Sequence, residues 1–327
     1  MNPPLRFWMS RPAKALWAAR TALDRAYESA LAHRAPKLYA WRVRRRRGAA
    51  VQPGESARYA RAVADDYEAI ALAAGVITSR EDLWRGHRVL ELGPGDLRSV
   101  GLIARARGAD SYVAVDAYDI ESRDEEKNRE VYERVAEREG LPRDQWRELL
   151  AGTTVRANFA DAVADGRRVD LVISRAVLEH VSDLPGLFAS LAPVLADDAV
   201  LIHKVDLRSH GMHRDNVLDF LLFPESVYRQ MASHLDLPNR VRAAAYLTLG
   251  ARDGLRVVHA SVSHRTSLEA VRALRPHLPP AFARLPEEEL RVLGLWLVQV
   301  GPRHPAATPA LDASALADAP TDGVSAY

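Results

Sequence analysis

No cysteine occurs among the 327 residues. That absence excludes disulfides, thiolate metal sites and cysteine nucleophiles. No apolar run approaches the roughly 18 residues of a membrane span, and no hydrophobic signal segment is visible, so the chain reads as cytoplasmic. Internal repeats are missing as well, which leaves one large domain with additions or two smaller ones. What is present fits a soluble globular protein, with 48% hydrophobic and 27% charged residues, and the length suffices to bury a substantial core. One domain with appendages is expected: a basic helical arm over 1–50, a folded domain over 51–301 with a helical insertion near 212–250, and a disordered tail over 302–327, rich in alanine, proline and aspartate.

The formal net charge of +2 hides a strong asymmetry. Residues 1–50 carry twelve Lys/Arg against Asp24 and Glu28, a net of +10, which leaves −8 for the remainder. Trp8, Leu16, Trp17, Leu23, Leu31, Leu38, Tyr39 and Trp41 lie among these cations, and Arg42, Arg44, Arg45, Arg46 and Arg47 close the arm. Such a segment can rest on an anionic membrane surface, contact nucleic acid phosphates, or fold over the domain as an amphipathic lid. A peripheral membrane contact is therefore an expectation alongside the cytoplasmic one, with nucleic acid the weaker partner.

The chain is organised around Val89-Leu90-Glu91-Leu92-Gly93-Pro94-Gly95-Asp96. Its apolar residues suit a parallel strand covered on both faces, and Gly93 and Gly95 let the backbone turn tightly and approach a ligand without Cβ atoms in the way. A helix over 97–107 follows, closed by Gly108. A second strand, 111–115, ends on Asp116, 23 positions after Gly93 and so at the distance where a carboxylate reads ribose hydroxyls. A glycine pair alone is weak, since many strand-to-helix turns need glycine for sterics only. The third glycine of the dinucleotide pattern is replaced by Arg98, which disfavours a dinucleotide fold. The stretch instead resembles the first motif of the class I S-adenosylmethionine-dependent methyltransferases, with Glu91, Gly93, Gly95 and Asp116 matching.

That resemblance extends to Arg175-Ala176-Val177-Leu178-Glu179-His180-Val181 after a fourth buried strand within 167–174, and it covers roughly 59–301. It implies an α/β fold, Rossmann-like, with a seven-stranded mostly parallel sheet, helices on both faces, and the last strand antiparallel between the fifth and sixth. It also implies S-adenosylmethionine as cofactor. Further strands are read at 153–156, 199–207, 256–262 and 294–300, and helices at 57–74, in the charged stretch 121–139, and over 267–290 with Pro279-Pro280 interrupting.

The cofactor candidates are then Glu91, Gly93, Gly95, Asp116 and, by position at the carboxyl end of the fourth strand, Ser174 and Arg175. Asp161 is the family's candidate for the adenine amino group, with loop capping as its other reading. In an in-line methyl transfer the protein aligns the acceptor and, for a hydroxyl, removes its proton. His203 and His180 are candidate bases because imidazole is neutral near pH 7; Asp206 or Glu179 would orient them. His203, Asp206, His210 and His213 resemble a metal array only superficially, and no metal is assigned. The expected acceptor is a small molecule, a sugar or a lipid-linked group, methylated at oxygen. The competing readings are a non-catalytic scaffold that keeps the cofactor fold, and an NAD-dependent oxidoreductase.

Overall fold

The structure, a computed structural model, describes residues 53–116, 124–209, 216–232 and 237–307, together with Leu316 and, in the arm, Ala19, Arg20, Leu23, Tyr27, Ala30, Leu31, Arg34, Ala35 and Leu38. His210, His213 and most of the arm and tail lie outside the described residues.

Each buried strand of the first half alternates with a helix whose apolar stripe covers it. In chain order the elements are α1 (Pro53–Ala73), β1 (Arg88–Leu92), α2 (Ser99–Ala106), β2 (Ser111–Val115), α3 (Glu125–Arg138), α4 (Gln145–Ala151), β3 (Thr153–Arg156), α5 (Phe159–Ala162) and β4 (Val169–Arg175). There follow α6 (Leu184–Leu191), β5 (Leu195–Asp206), α7 (Glu225–Ala232), α8 (Ala243–Tyr246), β6 (Arg256–Arg265), α9 (Leu268–Leu274), α10 (Pro280–Ala283), α11 (Glu287–Arg291) and β7 (Val292–Val300). One seven-stranded sheet runs in the order β3-β2-β1-β4-β5-β7-β6. Strands β1 to β5 pair in parallel, and β7 pairs antiparallel with both β5 and β6. This is the expected mostly parallel fold.

Two cores sandwich the sheet. Val63, Tyr67 and Ile70 of α1 join Leu102 of α2 and Val131 of α3 on one face, with Trp296 of β7 among them. Phe188 of α6 and Tyr246 of α8 cover Leu90, Val172 and Leu201 on the other. Local signals set the helix ends. Asn158 caps α5, accepting from the Asp161 N–H at 2.9 Å, Asp183 caps α6, and Ser267 caps α9. Gly75 and Gly140 stop α1 and α3 at positive φ of 66° and 69°.

The described part of the insertion between β5 and β6 is less helical than its composition predicts, being largely short turns around α7 and α8. It gains its order from the segment between β6 and β7. Phe220, Leu221, Leu222, Phe223 and Tyr228 form a third core with Val271, Leu274, Leu278 and Leu290. Two buried arginines fasten it. Arg240 donates to the Phe223 carbonyl at 2.6 Å and lies 4.1 Å from the Tyr228 ring centre. Arg242 donates to the carbonyls of Leu207 and Val292, just beyond β5 and at the start of β7.

The tail reading needs one correction. Leu316 is buried in the second core and its carbonyl accepts from Arg265, while Arg256 donates to the carbonyls of His304 and Ala306. Apolar burial and these cationic anchors hold those residues onto the sheet despite a composition that reads as solvated.

Candidate functional site

The carboxyl ends of β1, β2, β4 and β5 open on one edge, joined there by the end of β6 because β6 runs opposite to β7. Everything chemically distinctive sits along that edge.

At its β1 end, Gly93 and Gly95 adopt φ of +62° and +77°, values that side chains rarely take. The Gly93 N–H donates to the Val115 carbonyl at 2.9 Å, which fixes the turn beside Asp116, and the Asp116 N–H donates to the Arg156 carbonyl at 3.2 Å. The two glycines differ in what surrounds them. A Cβ on Gly93 would lie 2.7 Å from Val177 Cγ2, whereas one on Gly95 would meet nothing within 4 Å. Gly93 therefore lets the loop after β4 close onto the turn, and Gly95 leaves open space above it.

Arg98, the residue that replaces a third glycine, donates to the carbonyl and hydroxyl of Thr153 at 2.8 and 2.9 Å, tying the start of α2 to β3. Close helix-to-strand packing is supplied one turn later. A Cβ on Gly101 would fall 2.5 Å from the Tyr112 ring.

Glu91 lies beneath the turn. Its carboxyl accepts from the Tyr112 hydroxyl, and burial pushes it up to about 7 against that hydrogen bond. It faces α1 inside the first core, with Tyr67 nearby, and so holds the strand under the turn. Asp161 is exposed beyond β3, with its carboxylate accepting from the Asn158 amide at 2.8 Å.

The residues after β4 divide between the two faces. Ser174 and His203 are fully buried on the α6 side, where Ser174 Oγ and His203 Nδ1 lie 2.7 Å apart and the imidazole meets Phe188 edge-on. Burial drops His203 to about 3. These two expectations are corrected: both side chains face α6 and are fully buried, and burial keeps His203 neutral. Arg175 points to the α1 side, donates to Asp66 at 2.8 Å, and lies 5.7 Å from the ring centres of Tyr59 and Trp296. Lys204 joins it 5.3 Å from Trp296, its ammonium brought down to about 8 by burial and by Arg175. Ala176 bends the chain away from the strand at φ 55°, donating to the Lys204 carbonyl at 2.9 Å. A non-glycine residue at positive φ marks a place where the surroundings over-determine the backbone.

His180 is half-buried in the short turn Leu178–His180, next to the buried Glu179. Burial first, and Asp206 next, push the Glu179 carboxyl up to about 8. Asn239 of the insertion clasps this turn: its N–H donates to the Glu179 carbonyl at 2.6 Å and its amide to the carbonyls of Leu178 and Val181 at 2.8 and 2.9 Å.

Asp206 ends β5 and holds Arg208 through two contacts of 2.8 and 2.6 Å. It shares a cross-sheet row with Gly294 of β7 and His264 of β6. A Cβ on Gly294 would lie 2.3 Å from Ser263 Oγ and 3.3 Å from His264 Nδ1, so glycine lets these side chains approach the β7 backbone. Burial, then Lys204 and Arg208, hold His264 below the usual imidazole range, and it is neutral at pH 7. Sequence reading missed His264 by ending the strand at Val262. The alternation Val258, Ala260, Val262, His264 was the available signal. Among the described residues, no three metal-binding side chains cluster, and no helix is long and apolar enough to cross a membrane.

Comparison with known proteins was then informative at the family level. Residues 33–260 match a family described as a methyltransferase domain. No curated protein sequence matches. The fold is similar to the plantazolicin methyltransferase BpumL in complex with SAH (10% identity, 88% of this chain and 98% of that one, TM-score 0.43). It is also similar to a putative S-adenosylmethionine-dependent methyltransferase from Listeria monocytogenes (13% identity, 67% and 92%, TM-score 0.38). A third likeness is to a putative sarcosine dimethylglycine methyltransferase from Galdieria sulphuraria (16% identity, 73% and 85%, TM-score 0.39). At these levels the family match, not the structural likeness, carries the assignment.

Proposed function

We propose, from the premise that this chain belongs to the family of methyltransferase domains and is an S-adenosylmethionine-dependent methyltransferase, that it methylates a hydroxyl oxygen of a small-molecule, sugar or lipid-linked acceptor. The observation that carries the reading is the contrast between the two ends of the strand edge. Open space and positive φ at Gly95 stand at one end, and a neutral imidazole, across β7 from Asp206, at the other.

The residues present fit the cofactor. Gly93 and Gly95 give it a backbone approach, Asp116 at the end of β2 accepts from ribose hydroxyls, and Asp161 lies at the adenine side. Arg175 borders the amino-acid end. Ser174 and Glu91 support the strands beneath. When bound, S-adenosylmethionine supplies an activated methyl group that passes in line to the attacking oxygen, with the C–S bond electrons returning to sulfur.

The remaining work belongs to the chain. The third core and the clasp of Asn239 wall the acceptor side and exclude water. His264 takes the acceptor proton as the O–C bond forms, and Asp206 stabilises the imidazolium across the row. His180 is the alternative base, nearer to the glycine turn along the chain.

Calorimetric titration of S-adenosylmethionine, S-adenosylhomocysteine and NAD into the full chain tests the cofactor. Homocysteine release measured against phenols, sugars and lipid-linked alcohols tests the acceptor. Binding of NAD alone would overturn the cofactor reading, and methylation confined to amines or carbon would overturn the oxygen assignment.

A further inference from the structure

Three columns of side chains run up the α1 face of the sheet toward the strand edge, and they change character at the same level. In β4 the column is Leu171, Ile173 and Arg175, in β5 it is Val200, Ile202 and Lys204, and in β7 it is Val300, Val298 and Trp296. Strand pairing puts them in register, with Leu171 beside Val200 and Val300, Ile173 beside Ile202 and Val298, and Arg175 beside Lys204 and Trp296. The two lower rows belong to the first core. The third row holds two cations and an indole. Above it, the Tyr67 ring of α1 meets Trp296 edge-on at 5.8 Å, and the Tyr67 hydroxyl lies within range of Glu91, Arg175 and Asp66.

Tyr67 and Trp296 are fully buried, and among the described residues neither the Tyr67 hydroxyl nor the Trp296 Nε1 has a hydrogen-bond partner. Buried donors are nearly always satisfied. A row with a structural task only would be apolar like the two beneath it, or would turn these groups onto acceptors within the fold. Contact of Lys204 and Arg175 with the Trp296 ring satisfies neither donor. Guanidinium, ammonium, hydroxyl and indole N–H together call for a group that only accepts, and Asp66, which already accepts from Arg175 at 2.8 Å, disfavours a second negative charge on it. A carboxylate fits better than a phosphate dianion. The sheet order β1-β4-β5-β7 puts Lys204 and Trp296 one and two strands further from the glycine turn than Arg175, about 5 and 10 Å, and so on the acceptor side of the crevice. We propose that Lys204, Trp296 and Tyr67, together with Arg175, bind a carboxylate of the methyl acceptor, which makes the substrate class a hydroxy acid. The inference rests on the methyltransferase reading and narrows the acceptor within it. Burial and Arg175 hold the Lys204 ammonium down to about 8, a cost that an entering carboxylate offsets.

Calorimetric titration of acetate and of benzoate into the full chain saturated with S-adenosylhomocysteine tests it, with benzamide and inorganic phosphate as controls. Saturable binding of a carboxylate and none of benzamide is expected. Tyr67→Phe removes one hydroxyl and leaves no cavity, so the melting temperature should hold or rise. Carboxylate affinity should nevertheless fall roughly tenfold, with loss of a hydrogen bond to a charged group. Lys204→Met should lose at least as much, and Tyr67→Phe decides alone if Lys204→Met lowers the melting temperature. S-adenosylhomocysteine affinity is expected to be the same in both variants. A chain that binds no S-adenosylhomocysteine sinks the methyltransferase reading and this proposal with it, whereas one that binds it but neither acetate nor benzoate overturns this proposal only. The proposal also falls if phosphate binds more tightly than either carboxylate, or if the deciding variant binds carboxylate as tightly as the parent. It falls equally if carboxylate binds only when S-adenosylhomocysteine is replaced by methylthioadenosine, which lacks the amino-acid end, because the row would then hold the cofactor's own carboxylate.

Discussion

Gly93 and Val177 meet where the glycine turn and the loop after β4 close on each other, leaving 2.7 Å between Val177 Cγ2 and the place a Cβ on Gly93 would occupy. Gly93→Ala should therefore destabilise the protein by about 1 to 3 kcal/mol through overpacking and positive φ. Adding Val177→Ala should recover part of that loss, a coupling that a double-mutant cycle of denaturant midpoints would register. Purely additive effects would remove Val177 from the account.

Gly95→Ala should behave differently, because nothing in the fold opposes its Cβ. Backbone strain at φ +77° limits the stability cost to about 1 kcal/mol. Affinity for S-adenosylhomocysteine should fall by roughly tenfold or more as the methyl enters the cofactor's space. Calorimetry that finds equal losses of stability and none of affinity would make this glycine a folding residue only.

Asp116→Ala should weaken S-adenosylhomocysteine binding by about 1 to 3 kcal/mol through loss of hydrogen bonds to a charged acceptor. Its melting temperature should move little, because the backbone bonds that place Asp116 do not use the carboxylate. Weakened binding of adenosine alongside normal binding of free methionine-like fragments would place the effect at the ribose.

His264→Asn should lower kcat/KM for a hydroxyl acceptor by about 10²- to 10⁴-fold, leaving cofactor affinity intact. The imidazole works in its neutral form, and its folded pKa is lowered, so the acid limb of the parent's kcat/KM profile should fall below the pH of ordinary histidine titration. A variant with full activity, or an acid limb unaltered by the substitution, would return the role to His180.

Glu179 gives a stability prediction with a definite sign. Its folded pKa of about 8 lies above the usual 4.5, so the fold favours the neutral carboxyl. That stabilisation is complete below pH 4.5 and is lost progressively as pH rises to about 8. Glu179→Gln stays neutral throughout, and its melting temperature should fall less than the parent's between these limits. Parallel curves for the two proteins would mean that Glu179 ionises freely in the folded state.

Much of the fold was legible because its signals are local. The strands Ser111–Val115 and Thr153–Arg156 fall where their β-formers and flanking turns put them, the first because burial on both faces demands an apolar run and the second as a short, half-exposed edge strand. The turn at Gly93 and Gly95 was legible too, because a tight strand-to-helix turn needs the positive φ that glycine takes. The cap of α6 is equally local, the Asp183 side chain accepting from the Gly186 N–H three residues on.

Other features were decided between segments far apart in the chain. Whether a strand-end residue faces ligand or core depends on where the strand stops and which face its alternation selects. The face on which β4 and β5 alternate put Ser174 and His203 inside, and three further residues of β6 brought His264 to the rim. Gly294 reads as a weak spot in a strand until β6 places Ser263 and His264 against it. Leu316 looks solvated by composition until the second core receives it. By itself the sequence determined the elements and the glycine turn, because these answer to neighbours along the chain. Only the tertiary structure decided which groups share the crevice, because strand register and the antiparallel entry of β7 are set by packing between segments that no local pattern connects.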